Sequence, residues 1–162
     1  MKTLNANWKC NLSKQMLLPM GALLLCLAFT TGALAGELED KLITAAQSGD
    51  TAAVHAALDK GADVNAADVF GLTALMRAAM NGHTEVARSL MDKGADVNAT
   101  NFVGTTALMH AAGGGHIDIV SALLEKGADV RLKNALGMTA LEIAKENGHD
   151  DIVRILKEAG TK

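Results

Sequence analysis

The sequence predicts an all-α solenoid of about four helix-turn-helix units joined by hairpin loops. Three observations carry this. The stretch Gly71 to Asn98, GLTALMRAAMNGHTEVARSLMDKGADVN, returns 33 residues later from Gly104 to Arg131 and again from Gly137, and a partial copy precedes it, ending at Asn65. A fixed period of this length marks stacked supersecondary units. Each copy carries two apolar runs at helical spacing, separated by a tight turn and closed by glycine. Finally, 49% of the residues are apolar but only 2% are aromatic. The interior is therefore built from Ala, Leu, Val, Ile and Met, which suits close helix–helix contact rather than one large globular core.

The first 35 residues differ in kind from the rest. Lys2, Lys9 and Lys14 are the only charges before Glu37; an apolar run from Met16 to Ala28 follows, and Ala33-Leu34-Ala35 supplies a small-x-small cleavage pattern. That order predicts a secretory signal peptide over residues 1–35, cut after Ala35. An uncleaved signal anchor is the alternative, weakened by Pro19, by Gly21 and by a run barely long enough for a span of ~20 residues. Cleavage removes three lysines and both cysteines, Cys10 and Cys26, leaving 12 basic against 18 acidic residues and a formal charge of −6. A cysteine-free mature chain suits an oxidising compartment, periplasmic or extracellular. The whole chain carries a formal −3 and no basic stripe, so nucleic acid is not an expected partner. A monomer without membrane insertion after cleavage is expected.

The domain, residues 36–162, divides into units of about 38–67, 68–100, 101–133 and 134–162. Residues 36–41 form a polar lead. Leu42, Ile43, Ala45 and Ala46 then face inward on a first helix, broken by Ser48-Gly49-Asp50; Ala53, Val54, Ala57 and Leu58 line a second, stopped at Gly61. The next three units repeat the plan. Thr73, Thr106 and Thr139 stand where a hydroxyl can cap the first helix. Gly82-His83, Gly115-His116 and Gly148-His149 turn the chain, and Gly94, Gly127 and Gly160 stop the second helices. The linkers are polar and rich in Asn and Asp, suited to hairpin-like turns.

At these residues the chain resembles the ankyrin-repeat family. The G-x-T-x-L, A-A, G-H and L-L-x-x-G-A-D-V-N pieces stand at the family's spacings over residues 38–160. There are departures. Ala74, Ala107 and Ala140 replace the family's usual Pro, and Met76, Met109 and Glu142 replace its usual His, so the Thr–His bonds that knit many family members are not expected. Arg131 replaces an Asn and Lys145 an Ala; the end units are the most degenerate, as capping units facing water should be. The resemblance implies a non-enzymatic protein-binding module, an adaptor or regulator, with no cofactor. It also implies contact positions: Val69, Phe70, Leu72, Met80 and Asn81; in the next unit Phe102, Val103, Thr105, Gly113 and Gly114; in the last Ala135, Leu136 and Met138. Arg77 and His110 join them as residues expected to be exposed.

Candidate chemistry is sparse. His83, His116 and His149 recur every 33 residues, hence on successive units ~8–10 Å apart. Zn–N bonds of ~2.0–2.1 Å do not span that, so each imidazole is expected to bond adjacent loop backbone rather than a metal. Asp63, Asp96 and Asp129 recur beside a glycine stop and read as turn formers. A converging pair of catalytic carboxylates has no evident cleft in an extended stack. Gly113-Gly114-Gly115 lacks the Lys-Ser/Thr of a phosphate loop; it is either a flexible turn or a notch where other units carry Met80-Asn81 and Glu146-Asn147. The loop tips are the unusual feature. Val69-Phe70, Phe102-Val103 and Ala135-Leu136 are apolar where tips are ordinarily polar, and Phe70 and Phe102 are the only Phe, Tyr or Trp beyond residue 35. Either neighbouring tips pack on one another, or they form an apolar strip for a partner. Met76, Met80, Met109 and Met138 lie nearby and suit either core or interface.

Overall fold

The computed structural model describes residues 36–161; the expected signal peptide, its cut after Ala35 and both cysteines lie outside them. Among the described residues eight helices follow in order: α1 (36–48), α2 (Thr51–Asp59), α3 (Ala74–Asn81), α4 (Thr84–Asp92), α5 (Ala107–Gly114), α6 (Ile117–Glu125), α7 (Ala140–Glu146) and α8 (Asp150–Gly160). Among the described residues the only β pairing is an isolated bridge between Ala67 and Thr73. Each first helix packs on its own second helix, α3 on α4, α5 on α6 and α7 on α8. The first helices α3, α5 and α7 also pack side by side, as do α2, α4, α6 and α8. The result is two layers of short helices, the arrangement of a repeat stack.

Alanine sets the spacing of the first layer. Ala78, Ala79, Ala111, Ala112 and Ala144 have no exposed surface, and with so little side chain between them α3, α5 and α7 approach closely. Larger residues fill the space between layers: Leu75, Leu90, Leu108, Ile119, Leu123 and Leu156 are at most 2% exposed. Met76 and Met109 belong to this core, which settles two of the four methionines as filler.

The helix starts follow the threonine expectation. The Thr73 and Thr106 hydroxyls accept the backbone N–H of Met76 and Met109 at 3.3 Å each. Thr139 accepts from Glu142 N at 3.4 Å, while the Glu142 carboxylate accepts from Thr139 N at 2.7 Å, a reciprocal capping box. The three residues at the family's His position thus serve helix and core: two as buried methionines, one as a capping glutamate. Gly82 and Gly115 end α3 and α5 with φ of 76° and 77°, a left-handed conformation costly for other residues.

Two boundaries differ from expectation. The polar lead at 36–41 is already helical, supported by a Lys41–Glu37 ion pair at 2.7 Å across one turn. At the other end Gly160 does not stop the chain: α8 runs through it and is capped by Thr161. Gly61, Gly94 and Gly127, which do stop their helices, have φ of 87–92°, whereas Gly160 keeps a helical backbone.

Side chains tie unit to unit. His83 Nε2 lies 3.0 Å from the Gln47 carbonyl, His149 Nε2 3.0 Å from that of Gly113, and His116 Nε2 3.4 Å from that of Met80. A carbonyl only accepts, so the ring proton is on Nε2. Each histidine therefore reaches back to the preceding unit's first helix. A second ladder runs through Asn65, whose Oδ1 accepts from Asp96 N at 2.8 Å, and Asn98, which accepts from Asp129 N at 2.8 Å. It ends at Arg131, which folds back on Asp129. As expected, Asp63, Asp96 and Asp129 each accept the backbone N–H two residues on, at 2.9 Å.

The glycine triplet has a structural explanation. Gly113 and Gly114 are helical, ending α5. A Cβ on Gly114 would lie 2.5 Å from His116 Nε2, so the imidazole fills the place a side chain vacates and leaves no notch. In the flanking units Asn81 and Asn147 bond the carbonyl four residues back at 2.9 Å. Gly114 has no such bond to make, and its histidine makes the longest of the three inter-unit contacts. Gly114→Asn is expected to push the flexible His116 ring toward the position of His83 and raise stability by about 0.5–1 kcal/mol. A urea midpoint unchanged or lowered contradicts this.

Candidate functional site

The three hairpin tips are built alike. Asp68 Oδ1 accepts from Phe70 N at 2.8 Å and from Leu72 N at 3.0 Å. Asn101 Oδ1 accepts from Val103 N and Thr105 N, and Asn134 Oδ1 from Leu136 N and Met138 N, at 2.8–3.1 Å. Backbone bonds from Gly71 N to Asp68 O, Gly104 N to Asn101 O and Gly137 N to Asn134 O close the same turns. The polar side chain at the base of each tip is spent inside the turn. The two residues at the apex then point outward.

Their exposure is high: Val69 83%, Phe70 64%, Phe102 80%, Val103 56% and Leu136 82%, with Ala135 also exposed. The tips also touch in sequence. A Cβ on Gly71 would meet the Phe102 ring and backbone N at 3.1 Å, and Ala135 N donates to Val103 O at 2.9 Å. Both sequence alternatives are thus partly realised: neighbouring tips pack through backbone and glycine, yet their apolar side chains stay in water as one strip. The outer side contrasts, carrying exposed Glu85, Arg88, Asp92, Asp118, Glu125, Asp151 and Arg154 on the second helices.

The other candidate positions divide. Met80 (37%), Asn81 and Gly114 are exposed; Thr105, Gly113 and Met138 are half-buried. Leu72 is a correction. It is 8% exposed and part of the core, because the turn that turns Phe70 out turns Leu72 in.

Arg77 and His110 are corrections as well, since both were expected to be exposed. Arg77, on α3, pairs with Asp68, and their side chains are only 19% and 14% exposed. His110, at the same place on α5, is half-buried. Arg77 Nε and His110 Nε2 are buried without a hydrogen-bond partner. Burial, followed by the Arg77 charge, holds the His110 imidazole below its ordinary pKa. Burial also acts to raise the Asp68 carboxyl, but the Arg77 hydrogen bond and the N–H groups of Leu72 and Phe70 outweigh it, and the net shift is downward. Asp68 escaped the sequence reading. Its signal was an acidic residue where the other tips carry Asn101 and Asn134, nine residues before an arginine.

Asp68→Asn keeps an oxygen for both tip N–H groups but strands Arg77. A stability loss of about 1–2 kcal/mol is expected, since a charged hydrogen bond contributes ~1.5–3 kcal/mol and this one is partly screened. The sign in pH follows from the lowered carboxyl: the stabilisation is present above the unfolded value of 3.8 and is lost as pH falls through the folded one. Urea titrations at pH 7 check the size; a loss equally large at pH 2 contradicts the assignment.

Among the described residues, no three His, Cys, Asp or Glu side chains gather into a metal site, and no helix is long and apolar enough to cross a membrane. The remaining exposed histidine, His55, bonds the Ser89 hydroxyl of the next unit, without an acidic side chain hydrogen-bonded to it. Residues 23–101 and 100–162 match the family model described as ankyrin repeats (3 copies); the first match begins inside the segment expected as signal peptide. No curated protein matches the chain.

Proposed function

We propose, from the chain's membership of the ankyrin-repeat family, to which it belongs, that it is a non-enzymatic adaptor or regulator capturing one partner protein on its hairpin tips. Ankyrin repeats are protein–protein interaction modules, generally without catalytic activity. The observation that carries the site is the strip of Val69, Phe70, Phe102, Val103, Ala135 and Leu136, continuous through the contacts at Gly71 and Val103. Apolar anchors of this kind, fixed on short turns, lose little conformational freedom on binding. Below the strip, Met80 and Asn81 extend the surface along α3, with Gly113 and Gly114 at the same place on α5. The partner is therefore expected to offer an apolar segment to the tips, with polar contacts at their base.

The place of action in this proposal is after export, in the periplasm or outside the cell. It rests on the basic, apolar and small-residue order of residues 1–35. N-terminal sequencing of the protein recovered from the producing cell tests it. Gly36 as first residue supports release as a soluble chain, and Met1 supports a tethered adaptor. Crosslinked pull-down from intact cells followed by mass spectrometry tests the capture itself: one protein enriched over a charge-matched control is expected, and none recovered contradicts the function.

A further inference from the structure

The Asp68–Arg77 pair connects a hairpin tip to α3, and α3 packs against α5, which carries His110. Asp68 holds the N–H groups of Phe70 and Leu72 and the Arg77 guanidinium. Arg77 rises from α3, and His110 holds the same place on the neighbouring α5. Each contributes a nitrogen that is buried and unbonded, Arg77 Nε and His110 Nε2. Two such atoms on helices packed side by side are unusual, because a buried polar group without a partner costs ~1–3 kcal/mol. A neutral imidazole tolerates the position. A protonated one is a second cation beside Arg77, with no hydrogen-bonded acceptor on Nε2.

We propose that Asp68, Arg77 and His110 form an acid-sensitive joint between the α3 and α5 units, which holds the Val69–Phe70 tip in shape at neutral pH and loosens it on acidification. The charged groups around His110 support this. The helices packed against α5 carry Arg77 on α3, Glu142, Lys145 and Glu146 on α7, and Asp118 and Glu125 on α6, while the adjoining hairpins carry Asp68 and Lys133. Of these, Arg77 is the one that acts on His110, and it disfavours the protonated ring. The Glu142 carboxylate is occupied at the Thr139 cap, and Asp68 by Arg77. Because the folded pKa of His110 is lowered, the unfolded chain takes up the proton first. Stability is full above the unfolded value of 6.5 and falls as pH drops through the folded one. Asp68 titrates only below 3.8 and leaves this window untouched.

The consequence for capture rests on the proposed binding function, but the test needs no partner. NMR of the full chain follows the His110 ring and the hydrogen exchange of the Phe70 and Leu72 amides between pH 7.5 and 5, corrected for intrinsic exchange. His110 is expected to titrate with a midpoint below 6.5, and protection of both amides to fall about threefold or more through it. In His110→Gln, which keeps the site neutral, that fall is expected to vanish. A midpoint at or above 6.5, amide protection that ignores the midpoint, or the same fall in H110Q overturns the joint. The first two readouts use the unaltered protein and stand even where H110Q does not fold.

Discussion

Replacing Phe70 and Phe102 together by serine is expected to weaken partner capture by about 100-fold or more while leaving the helical circular dichroism unchanged. Interface aromatics that act as anchors lose ~2–4 kcal/mol each on truncation. Both rings are largely in water, 64% and 80% exposed, so the fold loses little with them. The turns beneath are held by Asp68 and Asn101 through backbone N–H groups, which serine leaves in place. Phe102 touches Gly71, and that contact alone is expected to cost stability a few tenths of a kcal/mol. Binding is read by pull-down or titration with the captured protein, and fold by circular dichroism and urea midpoint. Unchanged capture removes the strip from the site. A collapsed dichroism signal shows instead that the tips are structural.

Leu108→Ala is expected to cost about 2–5 kcal/mol, the largest stability effect of any single change considered. Leu108 is 1% exposed on α5, the helix that packs against both α3 and α7. Total stabilities of domains are commonly ~5–15 kcal/mol, so the loss is a large share. Position matters as much as burial. In a linear stack, energy passes only between neighbours, and weakening a central unit uncouples both sides. Leu156→Ala, at 2% exposure on the terminal helix α8, removes the same atoms. It is expected to fray the last unit before the rest unfolds, giving a broader urea transition. Equal, sharp transitions for the two variants contradict a nearest-neighbour stack.

The periodic positions made most of the architecture legible from sequence. Thr73, Thr106 and Thr139 cap, paired alanines line the first helices, and the Gly-His steps turn the chain, because each unit must present the same surfaces to the next. What the period does not govern was harder to read. Gly160 matches Gly127 in sequence, yet Gly127 takes a φ of 87° while Gly160 stays helical. The tips were visible as apolar pairs, but whether they were covered depended on the contacts at Gly71 and Val103. Arg77 and His110 looked like surface residues by type. Arg77 is drawn in by its pairing with Asp68, nine residues earlier in sequence, and His110 lies on α5, which packs between α3 and α7. Of the two readings of Gly113-Gly114, flexible turn or notch, the notch is filled by the His116 ring, which depends on a rotamer and not on a pattern.

The tip strip, and not the charged outer side, is expected to meet the partner. Site-specific photo-crosslinking in intact cells measures this directly, with the crosslinker placed at Phe102 in one chain and at Glu125, exposed on the outer side of α6, in another. A discrete adduct of one protein from position 102 and none from 125 is the predicted result; an adduct from 125 alone, or from neither, contradicts it.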